Sequence, residues 1–542
     1  MIFKKVIDFI NYSRENDICF LDGEMYLVNL EEFHQHSEKA IDRIVTAIDN
    51  NENILVFGHD DADGMTGTLI LYDFLKQFYD KVDYYIPNRQ IEHHGIGNNV
   101  IKYALNKQSK LLIAIDNGIS SVEGVSTLKK EGIDTIILDH HLLPEATPNA
   151  YAIVNPKLFN AVNKHDLYFK NNMSLEMLAG VGVSYFFTYL LSQVLRQGFF
   201  KEDYLFWASI GTLADRVPLK SVNRLIIRQL LHDWDVSLGH PAIQFMLEKN
   251  RYMVHRYEKM DFLHKFINLF YHGREENGKH LCFSFLIANE KEEQNKYYEN
   301  ILLLQDNYNK ELKKNIDYIN EQVVQKIDEQ KVFDSIQLLD EKLYLFSNNL
   351  KLSSIAFVDK DRQISYTMLG KVANTLLYTY KCPIIMITYK EDNTAACEAR
   401  SLKGFNWLEC FNSMPDMFEN YGGHERAAGF LIKTNKLDLF FEKYHEYIEN
   451  LDSTDVQVYD ENIICFDYYD TIWEELIELY ELLLPFGEAN KLPVFKVLNP
   501  VIADLNSDLI VNIDTIPLSS DSETLDDICV KYTKDGMNLV IV

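Results

Sequence analysis

Four short apolar runs, NILVFG, KVDYYIP, KLLIAIDNG and DTIILDHH, dominate the early part of the chain. The stretches between them, TGTLILYDFLKQF, NNVIKYALNK and SVEGVSTLKKEG, carry helical spacing, and another helix is expected over residues 38–50. The runs do not alternate with polar residues, so they read as strands buried on both faces of a parallel sheet. In such sheets ligands collect beyond the carboxyl ends of the strands. The acids and histidines fall there. His59, Asp60, Asp61 and Asp63 follow the first run, Asp116 the third, and Asp139, His140 and His141 the fourth. Asp215 follows a further apolar run, FWASIGTLADRVPL. A buried carboxylate needs a positive partner, either a basic side chain or a metal ion. Carboxylate with imidazole suits Mn²⁺, Zn²⁺ or Fe, whereas carboxylate alone would suit Mg²⁺ or Ca²⁺.

At 542 residues the chain has room for several domains. From about 291 to 331 it is polar and free of Pro and Gly, and Leu312, Ile316, Ile319, Val323 and Ile327 recur at helical spacing. This predicts one long amphipathic helix between two lobes. A second α/β region follows, with CPIIMITYKED, ACEARSLKGFNWLECF and GGHERAAGF. After 452 short β-rich segments, PVFKVL, DLIVNI and NLVIV, suit a small barrel. Met177 to Leu195 carry no charge, but the early glycines, the hydroxyls and Gln193 favour a buried core helix over a membrane span.

The net charge of −28 excludes a generally basic surface for nucleic acid, although not a local groove or an acidic site filled by cations. The seven cysteines form no CxxC pair, which removes a zinc ribbon or redox motif and fits a reducing cytoplasm. The N-terminal MIFKKVIDFINYSREND lacks a signal-peptide layout.

In order, DDADG, DNG, DHH and GTLADRVPL resemble the four motifs of the DHH phosphoesterases, and within them the chain is similar to the bacterial RecJ-type single-strand-specific exonucleases. YYIPNR, DHHLLPEATPNAYAIVNPK, LAGVGV and Asn223-Arg224 support this, GGHERAAGF resembles the DHH-associated domain, and LLPFGEANKLPVF resembles the start of the RecJ OB-fold domain. The resemblance covers roughly residues 25 to 500. It implies an α/β fold with a parallel-sheet DHH domain over 1–290, a connecting helix over 291–331, a smaller α/β DHH-associated domain over 332–450 and a β-rich, OB-fold-like domain over 451–542. The chain departs from the pattern in places. His59 stands where the family usually carries Asp, His94 stands where it usually carries Tyr, and the segment INLFYHGREENGKH replaces the usual Asn-Ala-Ala-Gly-Arg run.

By this resemblance Asp61, Asp63, Asp116, His140 and Asp215 form a cage for two divalent ions, Mn²⁺ or Mg²⁺. His59 stands equally as a further ligand or as a neighbour that orients one. His141 is the expected contact to the scissile phosphate or the attacking water, with a hydrogen bond behind a ligand as its alternative, and Asp139 is expected to orient a histidine. A single loop aspartate is ordinarily just a solvated acid. That remains the reading for Asp60, expected to be exposed. Arg400 and Ser401, with Gly422, Gly423 and His424, match the phosphate-contacting run. Arg274 is placed at a 5′-terminal phosphate, with a surface ion pair as its alternative. Arg89 and Asn155 complete the substrate-contacting set.

The reading is therefore a metal-dependent 5′-to-3′ exonuclease on single-stranded DNA that releases 5′-mononucleotides, acting in DNA repair and recombination. Its expected partners are single-stranded DNA and a single-strand-binding protein or repair helicase, with no membrane and a monomeric chain. Two alternatives stand beside it: a phosphodiesterase for short oligonucleotides or cyclic dinucleotides, and a catalytically silent replication scaffold.

Overall fold

The computed structural model describes residues 2–15, 28, 30–89, 91–92, 94–159, 175–195, 198–250, 256–275, 278–329, 337–339, 343–348, 351–402, 404–450, 462–467, 472–491, 493–498, 527–533 and 536–540. The chain divides into two compact units, Met1–Leu304 with Asn462–Val542, and Gln305–Glu461. It opens on a two-residue strand, β1 (Ile2–Phe3), whose partner lies far along the sequence.

The first unit is built on five parallel strands: β2 (Asn53–Phe57), β3 (Val82–Tyr85), β4 (Ser109–Ile115), β5 (Asp134–Leu138) and β6 (Ala152–Val154), in the order β3-β2-β4-β5-β6. The chain steps to one side of β2 for β3 and then to the other side for β4, which puts the switch point between β2 and β4. Successive strand residues enter two different cores. Ile54, Val56, Ile113 and Leu138 pack with the helices Ala62–Lys76, Gly180–Leu195 and Tyr204–Ala214. Leu55, Phe57, Leu112 and Ile137 pack with the helices Asn98–Asn106 and Val122–Lys130. This double burial is why the strands read as unbroken apolar runs. The uncharged stretch around 180–195 is a helix with Val181, Val183, Phe186, Phe187 and Leu191 in the larger core. Among the described residues no helix is long and apolar enough to cross a membrane.

The long helix forms as expected, over Lys291–Glu329. Ile301 is buried in the core of the first unit, whereas Leu312, Ile319 and Val323 are buried in that of the second. Among the described residues the second unit carries seven strands: β7 (Gln337–Leu339), β8 (Leu343–Asn348), β9 (Lys351–Asp359), β10 (Ile384–Tyr389), β11 (Thr394–Arg400), β12 (Phe418–His424) and β13 (Ala427–Lys433). Their order is β12-β13-β11-β10-β9-β8-β7. Only β9 and β10 run parallel, because the helix Tyr366–Tyr380 crosses between them. That helix and the stripe Leu312/Ile319/Val323 share one core, while Trp407, Phe440, Phe441 and Tyr444 fill another.

The later segment returns to the first unit. β14 (Asn462–Asp467), β15 (Pro493–Leu498), β16 (Asp527–Thr533) and β17 (Gly536–Val540) join β1 in the order β1-β14-β15-β16-β17. β1, β14 and β15 are parallel, with the helix Ile472–Leu483 crossing between β14 and β15, and β15-β16-β17 are antiparallel. PVFKVL is β15 and part of NLVIV lies in β17, but the expected strand DLIVNI lies outside the described residues. Arg224 donates to the carbonyl oxygen of Leu483 at 3.0 Å and Arg228 to that of Leu482 at 3.1 Å, two carbonyls at the end of the crossing helix that lack an intrahelical donor.

Candidate metal centre

The centre begins where β2 ends. Asp61 has extended backbone and caps the helix Ala62–Lys76, its Oδ1 accepting from the Gly64 N–H at 3.0 Å. Its other oxygen, Oδ2, is 2.7 Å from His59 Nδ1. Burial opposes ionisation of Asp61, but the hydrogen bond and charge of His59 outweigh it and hold the carboxyl below its ordinary range. Asp63, in the first turn of the helix, is wholly buried. Its two oxygens accept from Gly180 N and Val181 N, both at 2.7 Å. These are unpaired donors at the start of the helix Gly180–Leu195, where the helix dipole also favours negative charge.

Asp116 follows β4 with φ of +58°, a left-handed conformation that Asp tolerates better than most residues. A Cβ on Gly180 would lie 2.6 Å from Asp116 Cβ and Oδ1, so the glycine makes room for that carboxylate. After β5 come Asp139, His140 and His141. Asp139 Oδ2 accepts from Ile119 N at 3.0 Å, and Oδ1 accepts from His140 N at 2.7 Å and lies 2.7 Å from His141 Nδ1. Asp139 thus orients His141 from behind. Asp215 closes the cluster from the end of the helix Tyr204–Ala214.

His140 Nε2 lies 3.2 Å from Asp116 Oδ1, 3.6 Å from Asp215 Oδ2 and 3.8 Å from Asp63 Oδ2. Three sets of side chains bring ligand atoms within 4.8 Å of one another: His59, Asp61 and Asp116; Asp63, His140 and Asp215; and Asp116, His140 and His141. Asp116 and His140 each belong to two of them.

The electrostatics are those of a site short of positive charge. Burial, followed by Asp215 and Asp61, pushes the Asp63 carboxyl well up, and burial, followed by Asp63 and Asp61, does the same to Asp116. Burial and Asp61 push Asp215 up to about 6. Burial and then His141 push His140 down to about 4, which keeps its imidazole neutral and fit to ligate. His141 goes the other way, raised first by its hydrogen bond to Asp139. Asp116 Oδ1 and His140 Nε2 are buried without a hydrogen-bond partner. Orphaned ligand atoms facing each other amid crowded carboxylates fit a divalent cation, whose charge would bring the raised Asp63, Asp116 and Asp215 carboxyls back down.

The remaining expected residues are placed differently. Asp60, expected at the surface, is fully buried. Arg274 Nε donates to its Oδ2 at 2.6 Å, Arg274 Nη2 reaches its carbonyl oxygen at 3.5 Å, and Arg89 pairs through Nε with Oδ1 and donates its backbone N–H to Oδ2 at 3.2 Å. Arg274 Nη1 donates to the Tyr271 carbonyl at 2.9 Å. The Arg274 pair is thus not the surface contact considered as its alternative: it is a knot around a buried acid. Asn155 is wholly buried too, donating to the His141 carbonyl at 3.0 Å and accepting from Lys157 N at 2.9 Å, so it braces the histidine loop. Arg400, Ser401, Gly422, Gly423 and His424 gather in the second unit around the β11-β13-β12 edge. Arg400 pairs in register with Ala427, and Ala427 with His424. Gly423, at φ +132°, lies against Ala427 O and Ala428 Cα, where a Cβ would come to 2.5 Å. Ser401 is buried and donates to the Phe405 carbonyl at 3.0 Å.

Sequence reasoning missed two supports. The Gly180–Val181 amides that hold Asp63 sit in the quoted LAGVGV run, whose glycines before an apolar helix were the available signal. Lys157, in AIVNPK, donates through Nζ to the His140 carbonyl.

Comparison with known proteins agrees with this layout. Residues 53–208 match the DHH family, N-terminal domain, and residues 353–450 match the DHHA1 domain. These two stretches are what the chain shares with those domain families. The chain is similar to the single-stranded-DNA-specific exonuclease RecJ of Bacillus subtilis, 28% identical over 509 residues, covering 93% of this chain and 59% of that protein. It is 27% identical over 430 residues to the Escherichia coli protein of that name, covering 76% and 69%. The chain therefore spans less than two thirds of the Bacillus relative. The crystal structure of RecJ with Mn²⁺ from Thermus thermophilus superposes with a TM-score of 0.63 at 20% identity, over 88% of this chain and 63% of that one. A second, of exonuclease RecJ bound to manganese, gives 0.56 at 20% identity, over 79% and 97%. These show a shared fold.

Proposed function

We propose that this chain is a divalent-metal-dependent exonuclease that shortens single-stranded DNA from its 5′ end and releases 5′-mononucleotides, in repair and recombination. The observation that carries the reading is the convergence of overlapping ligand sets, with Asp116 and His140 in common, at the carboxyl ends of neighbouring parallel strands. His59, Asp61 and Asp116 would hold one ion, and Asp63, His140 and Asp215 the other. Bound there, Mn²⁺ or Mg²⁺ supplies Lewis acidity towards a phosphodiester and a source of hydroxide near neutral pH.

The chain's own groups do the positioning. Asp139 holds His141 by Nδ1, leaving Nε2 of a half-exposed, proton-retaining imidazole free to hydrogen-bond a phosphate oxygen. Asn155 and Lys157 fix the backbone that carries both histidines. Gly180 and Val181 keep Asp63 aimed into the cluster. In the second unit Arg400, Ser401, Gly422, Gly423 and His424 would contact the phosphate backbone, and in the first unit Arg89 and Arg274 would present cations to it. We read 1–290 as the catalytic domain, 291–331 as the connector, 332–450 as the substrate-binding domain and 451–542 as an OB-fold-like strand holder. A monomeric cytoplasmic protein served by a single-strand-binding protein or a repair helicase completes the proposal.

The test is a digestion with Mn²⁺ of a single strand carrying a 5′-phosphate and a 3′ label, beside the matching duplex. Stepwise shortening of the single strand alone from its 5′ end is expected. Cleavage confined to dinucleotides would transfer the proposal to small substrates, and no cleavage of either would make the chain a silent scaffold.

A further inference from the structure

Arg400 ends β11, and its Nη1 lies 2.9 Å from Oε2 of Glu398, two residues earlier on the same strand. Side chains two apart on a strand share a face. The pair is held from several sides. Arg400 Nη1 also donates to the Ala399 carbonyl at 2.8 Å, and the Tyr366 hydroxyl donates to Glu398 Oε1 at 3.3 Å. A Cβ on Gly370 would reach within 2.5 Å of Arg400 Nη2 and 3.5 Å of Glu398 Oε2. The bare backbone of the helix Tyr366–Tyr380 therefore forms the slot in which the pair lies. Glu398 pairs in register with Gly429 and Gly429 with Gly422, as Arg400 does with Ala427 and Ala427 with His424. The pair thus shares its sheet face with Gly422 and His424 of the phosphate run.

We propose that Glu398 is a resident competitor for the Arg400 guanidinium and sets how tightly this unit holds nucleic-acid phosphate. The inference rests on the reading of Arg400 as a phosphate contact. Glu398 already takes Nη1 of the guanidinium and neutralises its charge. A phosphodiester carries one negative charge, the same as Glu398, so it gains Arg400 only by displacing the carboxylate and then sits beside it. Tyr366 and the glycine slot keep Glu398 close, ready to take the guanidinium back when phosphate leaves. The strand is held loosely in consequence, as an enzyme that must advance along its substrate requires. Glu398 is a specificity-setting neighbour of the binding site, with no part in the chemistry.

The experiment uses the full chain with Glu398→Gln, Arg400→Ala and both together. Binding of a 5′-phosphorylated oligothymidylate is followed by fluorescence anisotropy in EDTA across a salt series. Glu398→Gln keeps an acceptor for Tyr366 but removes the charge. It is expected to tighten binding by about 5- to 10-fold, the difference between a charge-assisted and a neutral pair. It should also steepen the slope of log K against log salt by about 0.7, one further phosphate neutralised on a single strand. In the Arg400→Ala background the same change should do little. Unchanged or weaker binding by Glu398→Gln, or equal tightening with Arg400 absent, overturns the competitor role. If Arg400→Ala binds as the parent does, the phosphate reading of Arg400 itself falls.

Discussion

Asp60 offers the sharpest test of the architecture around the centre. Its carboxylate is fully buried and takes Arg274 Nε at 2.6 Å, the Arg89 side chain and the Arg89 backbone N–H. Replacing it with Ala strands two guanidiniums against a cavity. Removing one partner of a buried ion pair costs about 3–5 kcal/mol. Here the cations retain some solvent, with 19% of the Arg274 side chain and 31% of the Arg89 side chain exposed. Arg274 also keeps its bond to the Tyr271 carbonyl. The expected loss is therefore at the lower end, about 2–3 kcal/mol. Asp60→Asn retains an acceptor and should lose about half of that. Adding Arg274→Met to Asp60→Ala removes one stranded charge and should restore about 1 kcal/mol. Urea unfolding of the full-length variants, followed by tryptophan fluorescence, measures each, since Trp207 and Trp234 are buried in the same unit. An Asp60→Ala protein within about 0.5 kcal/mol of the parent would show that the knot contributes nothing and refute the argument.

Three further outcomes follow from the geometry. Asp116→Ala or His140→Ala should abolish cleavage while leaving the circular-dichroism spectrum and unfolding midpoint close to the parent's, because the first relieves a crowded carboxylate cluster and the second removes a neutral ring whose Nε2 has no hydrogen-bond partner; near-normal activity would remove both from the centre. Gly180→Ala should drive a methyl into Asp116 and weaken Mn²⁺ binding by about tenfold or more in calorimetry, whereas unchanged affinity would mean the helix start gives way freely. Asp203, just before the helix Tyr204–Ala214, is pushed up to about 6 by burial, so ionising it in the folded state opposes folding. Its share of stability is fullest below the unfolded value of about 4 and drains away as pH rises to about 6. Asp203→Asn should flatten that part of the stability-against-pH curve, and a parallel curve for the variant would reject the assignment.

The edge that carries the acid and histidine cluster was legible because double burial leaves a strand no place for charge except its ends. Asp61, Asp116 and His140 could thus be placed by counting along apolar runs. Asp60 was misjudged for a reason of equal generality. Its partners are 29 and 214 residues away, and no local pattern announces a pairing across such a distance. Next to a helix cap, Asp60 looks like one more turn acid. Asn155 was assigned outward by resemblance, yet both ends of its amide are taken up in bracing the loop. Glu398 drew no notice because its meaning lies in what Arg400 does beside it. The later segment was read as a small barrel from its short apolar pieces. Residue pattern alone does not carry the direction of pairing, and the described strands there begin parallel, with a crossing helix.

The pairing of Ile2–Phe3 with Cys465–Phe466 bears on how the molecule is made. Along the sequence the first unit is interrupted by the second. During synthesis the inserted unit emerges whole and can complete its sheet while its host still lacks β14 to β17. Residues 2–3 leave the ribosome before either unit is complete, yet remain without their strand neighbour until more than four hundred further residues have been added. The host sheet is completed last, after the guest can have folded. A stall in translation beyond residue 461 would therefore leave a finished guest in an open host.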